Sequence, residues 1–278
     1  MESKQSWWQI FARGAAVGGT MTVPGVSGGT MAMILGIYGE LIEAVGGIFR
    51  HFRDSLYFLA LFAAGGLVGM ALLARVVLSL LERFPMVVSY FFLGAVAGGI
   101  PLICRKAGIK KTTWQALLWP LLGLFIVYAL AALPEGLFAA GLSGSDAPGA
   151  FSVGSFLLQF LGGCILAVAL ILPGISVSQM LLMLGLYEPV MAAVSHFHFL
   201  SLVPLGLGAV LCTLVTTRLL GSALERRPRQ TYLLILGFVL GSLGELYPGL
   251  PRGWDLLFSG LAAAAGYQLL SGLSRKAG

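Results

Sequence analysis

Seven long apolar runs dominate this chain, at 55–81, 86–104, 114–133, 156–172, 199–221, 230–246 and 254–273. Several approach or exceed the roughly 20 residues that cross a hydrocarbon core of about 30 Å. In that medium each backbone polar group must be paired within the protein, which confines such runs to helix. The rest of the sequence leaves no room for a soluble domain, because its longest loops are about 105–113 and 134–150. Charged residues make up 10% of the 278 positions, against about 25% in an ordinary soluble domain. The fold class is therefore all-α, a polytopic membrane protein.

Against this background one phrase stands out because it is written twice. Residues 23–38 read VPGVSGGTMAMILGIY and residues 172–187 read LPGISVSQMLLMLGLY. At an offset of 149, residues 24–45 and 173–194 agree at nine of 22 positions, including Pro24/Pro173, Ser27/Ser176, Gly36/Gly185 and Tyr38/Tyr187. Further on the offset falls to 143, where LERFP (81–85) pairs with LERRP (224–228), Arg75 with Arg218, and Gly94 and Gly98 with Gly237 and Gly241. Apolar sequence yields chance Leu and Gly matches, but not Pro, Ser, Tyr, Glu and Arg in one order. The chain reads as two copies of one unit.

Each copy holds five apolar segments: 7–23, 28–48, 55–81, 86–104 and 114–133, then 153–172, 176–194, 199–221, 230–246 and 254–273. An odd number per copy makes the copies face opposite ways, the inverted-repeat plan of many transporters. Basic residues agree with this topology. Lys4 and Arg13, Arg50 and Arg53, Arg105, Lys106, Lys110 and Lys111, and Arg226, Arg227 and Arg229 mark cytoplasmic stretches. Arg275 and Lys276 place the C-terminus on the same side, and the 134–150 linker, which has no Lys or Arg, outside. Only Arg83 and Arg252 fall in loops expected outside. The domains expected are a first repeat at 1–133, the linker, and a second repeat at 151–278. Residues 4–23 look superficially like a signal peptide, but an internal echo of the segment argues against cleavage.

From Arg13 to Pro24 is 11 residues, or roughly 16 Å of helix, about half a bilayer. The first two segments of each copy thus read as re-entrant hairpins, about 9–48 and 153–194, with three spanning helices following each. Ten full spans is the alternative. Pro24 lacks an N–H and Gly25 leaves helical φ/ψ easily, so the helix breaks at Pro24-Gly25 and, in the echo, at Pro173-Gly174. A new helix then starts near Ser27, a suitable N-cap. Its first N–H groups, around Ser27, Gly28, Gly29 and Thr30, lack intrahelical acceptors and sit at the positive end of the helix dipole, which suits phosphate or carboxylate. Ser176, Ser178 and Gln179 would supply the counterpart from the opposite side. A tight turn between packed helices is the simpler reading, and the twofold occurrence weakens it.

Arg75 and Arg218 lie about seven residues before the Leu-Glu-Arg phrase. They either snorkel to the interface or meet an anionic head group, because a charge within the bilayer usually has a task. Glu40, Glu43 and Glu188, just beyond the Gly-x-Tyr phrase, are candidates for the interface or for proton coupling. His196 and His198 read as part of an external loop. The glycine pairs Gly65/Gly69, Gly94/Gly98 and Gly237/Gly241 have the spacing that lets helices pack closely. Cys104, Cys164 and Cys212 are odd in number and scattered, so neither a disulfide framework nor a metal site is expected. The net charge of +6 sits at segment ends rather than on one face, which excludes nucleic acid as a partner. No phosphate loop, His-Glu-x-x-His or nucleophile elbow is present, so no enzyme activity and no cofactor is expected.

At PGVSGGTMAMILGIYGELIEAV (24–45) and its echo at 173–194, the chain resembles the bacterial polyprenyl-phosphate transporters, long known only as a domain of unknown function. The second motif departs from the Pro-Gly-Ile-Ser-Gly-Ser pattern of that family, with Val177 in place of Gly and Gln179 after Ser178. The resemblance covers nearly the whole chain. It implies a protein of the bacterial cytoplasmic membrane that flips undecaprenyl phosphate from the outer to the inner leaflet for carrier-lipid recycling. The expected partners are that lipid, the surrounding membrane lipids and, if a Glu titrates, protons. Two other classes stay open, an ion-coupled transporter of a small soluble anion and a membrane lipid phosphatase.

Overall fold

The structure, a computed structural model, describes residues 6–21, 26–108, 114–132, 153–175, 177–195 and 199–276, and every regular element among them is helical. The first half contains α1 (Trp7–Thr20), α2 (Gly28–Ile34), α3 (Tyr38–Gly46), α4 (Phe52–Arg83), α5 (Pro85–Lys106) and α6 (Trp114–Ala131). The second contains α7 (Val153–Ile171), α8 (Val177–Met183), α9 (Tyr187–Ser195), α10 (Val203–Arg226), α11 (Pro228–Leu246) and α12 (Trp254–Lys276). A 3-10 turn, Phe199–Leu202, leads into α10.

Among the described residues, five helices (α4, α5, α7, α10 and α12) are long and apolar enough to cross a membrane. Their outer faces carry exposed apolar side chains such as Leu67, Leu72, Leu219 and Leu256, the reverse of a water-facing surface. The chain is a multi-pass membrane protein. The segment 230–246, expected as a span, is not among the five. It forms α11, which packs against α5, α6 and α10 with Leu233, Ile235, Phe238 and Val239 buried. Shielded by its neighbours, α11 carries buried polar residues, Thr231 and Ser242, that lipid-facing helices avoid.

Glycine notches hold the long helices together, and the notches recur in step with the sequence echo. A methyl group at Gly14 would strike the Phe62 carbonyl oxygen, and one at Gly163 the Leu205 carbonyl. Likewise Gly65 faces the carbonyl of Phe11 and Gly208 that of Phe160. The α1–α4 and α7–α10 pairs are therefore built from the same contacts. The contacts advance together along both members, so α1 and α4 run parallel, as do α7 and α10. The next helices exchange partners between halves: Gly94 of α5 abuts Ala263 of α12, whereas Gly237 of α11 abuts Pro120 of α6. Gly266 against Phe91 and Gly123 against Leu234 repeat the relation from the other side. Only glycine admits such an approach, which maximises dispersion contact where lipid offers no hydrophobic drive.

The twin Leu-Glu-Arg-x-Pro phrases make one-residue hinges. Phe84 has φ −136, ψ 57 and Arg227 φ −137, ψ 56, each ending one helix and capping the next, with proline at the first position. Proline bars its predecessor from helical φ/ψ and needs no donor at a helix start, so the phrase turns the chain without a loop.

Two expectations are corrected. The leg expected as one segment at 28–48 is two helices, α2 and α3, bent by 116°. Gly36, at φ 73, ends α2; its N–H bonds Met33 O and that of Ile37 bonds Ala32 O, at 3.1 and 3.0 Å. Gly185, at φ 67, repeats this with Leu182 and Leu181, both at 2.9 Å. This Gly-terminated cap satisfies the last carbonyls of a short helix. Second, Cys164 and Cys212 form a disulfide with Cα atoms 5.0 Å apart, where none was expected. They lie beside the Gly163 and Gly208 notches, at the place that Ala15 and Gly69 fill in the first half. Sequence separation hid a pairing that the close helix approach makes.

A left-handed φ costs an L-residue about 1–2 kcal/mol. Gly36→Ala and Gly185→Ala are each expected to destabilise the detergent-solubilised protein by about that amount, read as a lowered unfolding midpoint.

Candidate functional site

The start of α2 and the second break come to one place. In the second, Pro173 and Gly174 form a buried turn between α7 and α8, with Gly174 at φ 84. A methyl group there would strike the Phe238 carbonyl, so the turn lies directly on α11. In the first, α2 starts at Gly28, and a Cβ on Gly29 would sit 3.3 Å from Ile171 O and 3.4 Å from Pro173 Cα. The start of α2 thus rests on the end of α7.

A hydrogen bond joins the two. Tyr38 Oη donates to Ile171 O at 2.8 Å, in buried surroundings. Ile171 O is the last carbonyl of α7 and has no partner within the helix. The tyrosine of the first Leu-Gly-x-Tyr phrase supplies the donor that the end of α7 leaves missing. Sequence reading noted the repeated tyrosine but gave it no task; its place after a glycine helix end was the available signal.

Beside this junction is a cavity of about 220 Å3. Its wall includes Gly28 and Gly29 of α2, Tyr38 of α3, Ile171 of α7, and Thr213 and Thr217 of α10. Thr217 Oγ1 donates within its own helix, to Thr213 O at 2.7 Å and Leu214 O at 3.2 Å, leaving its lone pairs to accept. The remaining wall is largely apolar, with Val17, Phe62 and Leu170 among its side chains. A second cavity, of about 380 Å3, lies along the other break, between α7, α8 and Leu130. It too is apolar.

The expected site residues divide. Ser27 is the N-cap of α2, with extended backbone (φ −79, ψ 133), and its carbonyl accepts from Met31 N at 3.1 Å. Its hydroxyl makes no capping bond, contrary to expectation. Gly28 and Gly29 line the cavity. Thr30 is 1% exposed, and its hydroxyl has no partner among the described residues. Pro24, Gly25 and Ser176 lie outside the described residues, as do His196 and His198; Ser178 and Gln179 are in α8, their side chains not described.

Arg218 is occupied elsewhere. Its Nε donates to Gly46 O at 3.4 Å and its guanidinium stands 5.6 Å from the Phe49 ring centroid. It therefore clasps the C-terminus of α3, where a cation meets free carbonyls and the negative dipole end. Arg75 is exposed on α4 and does not line the cavity. Glu43 and Glu188 are exposed, while Glu40 is partly covered.

Residues 17–253 match a family model described as undecaprenyl phosphate translocase-like. A polyprenyl-phosphate transporter of Staphylococcus aureus is 32% identical over 266 residues, covering 93% of this chain and 92% of its own length. One of Vibrio cholerae serotype O1 is 30% identical over 259 residues, covering 87% of this chain and 78% of its own. No solved structure matches.

Removing the Tyr38 hydroxyl leaves a buried carbonyl unsatisfied, at about 1–3 kcal/mol. Tyr38→Phe is expected to lower the unfolding midpoint accordingly, and Tyr57→Phe, on an exposed site of α4, to leave it unchanged.

Proposed function

The chain belongs to the undecaprenyl phosphate translocase-like family, and on that premise we propose that it carries a polyprenyl phosphate across the membrane, outer to inner leaflet, for carrier-lipid recycling. The observation that supports this most is the meeting of the start of α2 with the second helix break beside a cavity. Gly28 and Gly29 leave the backbone there bare of side chains, so a phosphate oxygen can approach the N–H groups that start α2. The hydroxyl of Ser27 adds a donor. Ser176, Ser178 and Gln179 complete the site from the second break. The apolar remainder of the wall suits a head group whose tail stays in lipid, and disfavours a small hydrated anion.

In this reading residues 1–133 and 151–278 are two repeats of opposite orientation joined by an external linker at 134–150. The hairpins at about 9–48 and 153–194 re-enter the side they left. Contact of α2 with α5 near its C-terminal end, where Ile34 faces Gly99, supports such a return. Both termini face the cytoplasm, and the membrane is the bacterial cytoplasmic one. Head-group exchange between the two sides follows from alternating exposure of the shared site. Arg75 and Arg218 guide the phosphate at opposite sides, with Arg218 leaving Gly46 to do so. Glu40, Glu43 or Glu188 would take the proton if transport is proton-coupled. The chain acts as a transporter and not as an enzyme.

Reconstituted proteoliposomes carrying a fluorescent polyprenyl phosphate test this reading. Wild type is expected to move the lipid between leaflets, Ser27→Ala about tenfold more slowly, as for loss of one hydrogen bond to a charged group, and Arg75→Ala also more slowly. Gly29→Leu is expected to stop transport, because its side chain meets Ile171 and Pro173. Movement of a soluble anion without movement of the lipid would overturn the proposal in favour of the small-anion transporter. Release of inorganic phosphate would overturn it in favour of a phosphatase.

A further inference from the structure

Lys106, the last residue of α5, was read from sequence only as a marker of membrane orientation. In the structure its Nζ stands 5.9 Å from the centroid of the Tyr232 ring, on α11. Glu40, in the first turn of α3, is the acidic group whose charge acts on Lys106, and Tyr232 packs against the buried cluster that contains Tyr38. Tyr38 itself lines the cavity and holds Ile171 O. Lys106 and Tyr232 lie where α5 stops and α11 starts. Exposed Arg226 and Arg227 lie beside the start of α11.

Resting on the transport reading above, we propose that Lys106 receives the phosphate head group as it leaves the cavity, and that Glu40 is the counter-charge the phosphate displaces. A lysine ammonium is a point charge on a long flexible stem, able to follow a moving anion. Parked over a tyrosine ring it is held weakly, and a phosphate offers it stronger, charge-assisted hydrogen bonds. Glu40 returns to the ammonium once the head group is gone, so the site passes the phosphate on instead of retaining it. Tyr232 keeps the empty lysine beside the route. Arg218 does not take this part in the state described, being bound to the end of α3.

The test measures two quantities for wild type, Lys106→Gln, Lys106→Arg and Glu40→Gln: equilibrium binding of a fluorescent short-chain polyprenyl phosphate in detergent, and its translocation in proteoliposomes. Lys106→Gln is expected to bind about tenfold more weakly, as for loss of one charge-assisted contact, and to translocate more slowly. Lys106→Arg recovers most of both. Glu40→Gln binds several-fold more tightly yet turns over more slowly, because the competing carboxylate is gone. Opposite affinity shifts at two neighbours do not arise from shared structural damage. Inorganic phosphate is expected to compete for the probe in wild type and less in Lys106→Gln; equal competition in both overturns the proposal. Lys106→Gln behaving as wild type also overturns it while leaving the transport reading intact, and so does Glu40→Gln weakening binding as Lys106→Gln does. Wild type that moves no polyprenyl phosphate overturns the transport reading, and this proposal with it.

Discussion

A broken helix inside a membrane leaves backbone groups without partners, and lipid supplies none. In this protein α3 covers the edge of the second break: the hydroxyl of Tyr38, from the first phrase, donates to Ile171 O there. Gly29 rests on Pro173 at the same junction. Irregular backbone within a membrane is tolerated when covered by protein or lining a cavity, and the junction is buried beside one. The positions of α2, α7 and the cavity all follow from that contact.

Two packing styles surround the junction. The α1–α4 and α7–α10 pairs are locked at glycine notches within each half. The α5–α12 and α6–α11 pairs are locked between halves by matching notches. A shape set by backbone contact has few intermediate positions, since cores are close-packed and shift between discrete arrangements. The short half-helices α2 and α8 are joined to their successors by glycine caps, α2 packing on α1, α5, α7 and α12, and α8 on α7. The proposed movement therefore concentrates where the proposed head group binds.

Much of this was legible in the residues. Long apolar runs gave the helices, and Pro173-Gly174 gave the turn between α7 and α8. The Leu-Glu-Arg-x-Pro echo foretold two matching turns, found as hinges at Phe84 and Arg227 with nearly identical backbone angles. Other features were hidden for physical reasons. A glycine pair announces a close helix approach but not the partner, so the exchange of α6 and α12 between halves could not be read. Gly36 looked like an ordinary match because its role depends on φ, a backbone property. Cys164 and Cys212, 48 residues apart, pair only because parallel helices bring them level. Lys106 and Arg218 were judged by charge, whereas what they touch is tertiary.

The claim on which the account rests is that both breaks face one phosphate. Photo-crosslinking measures this most directly, with a polyprenyl phosphate bearing a diazirine next to its phosphate and the labelled peptides identified by mass spectrometry. The account predicts labels in both 26–38 and 171–180, lost together when excess unlabelled lipid is added. Labels confined to the lipid-facing sides of α4 and α12, with neither break modified, would contradict it.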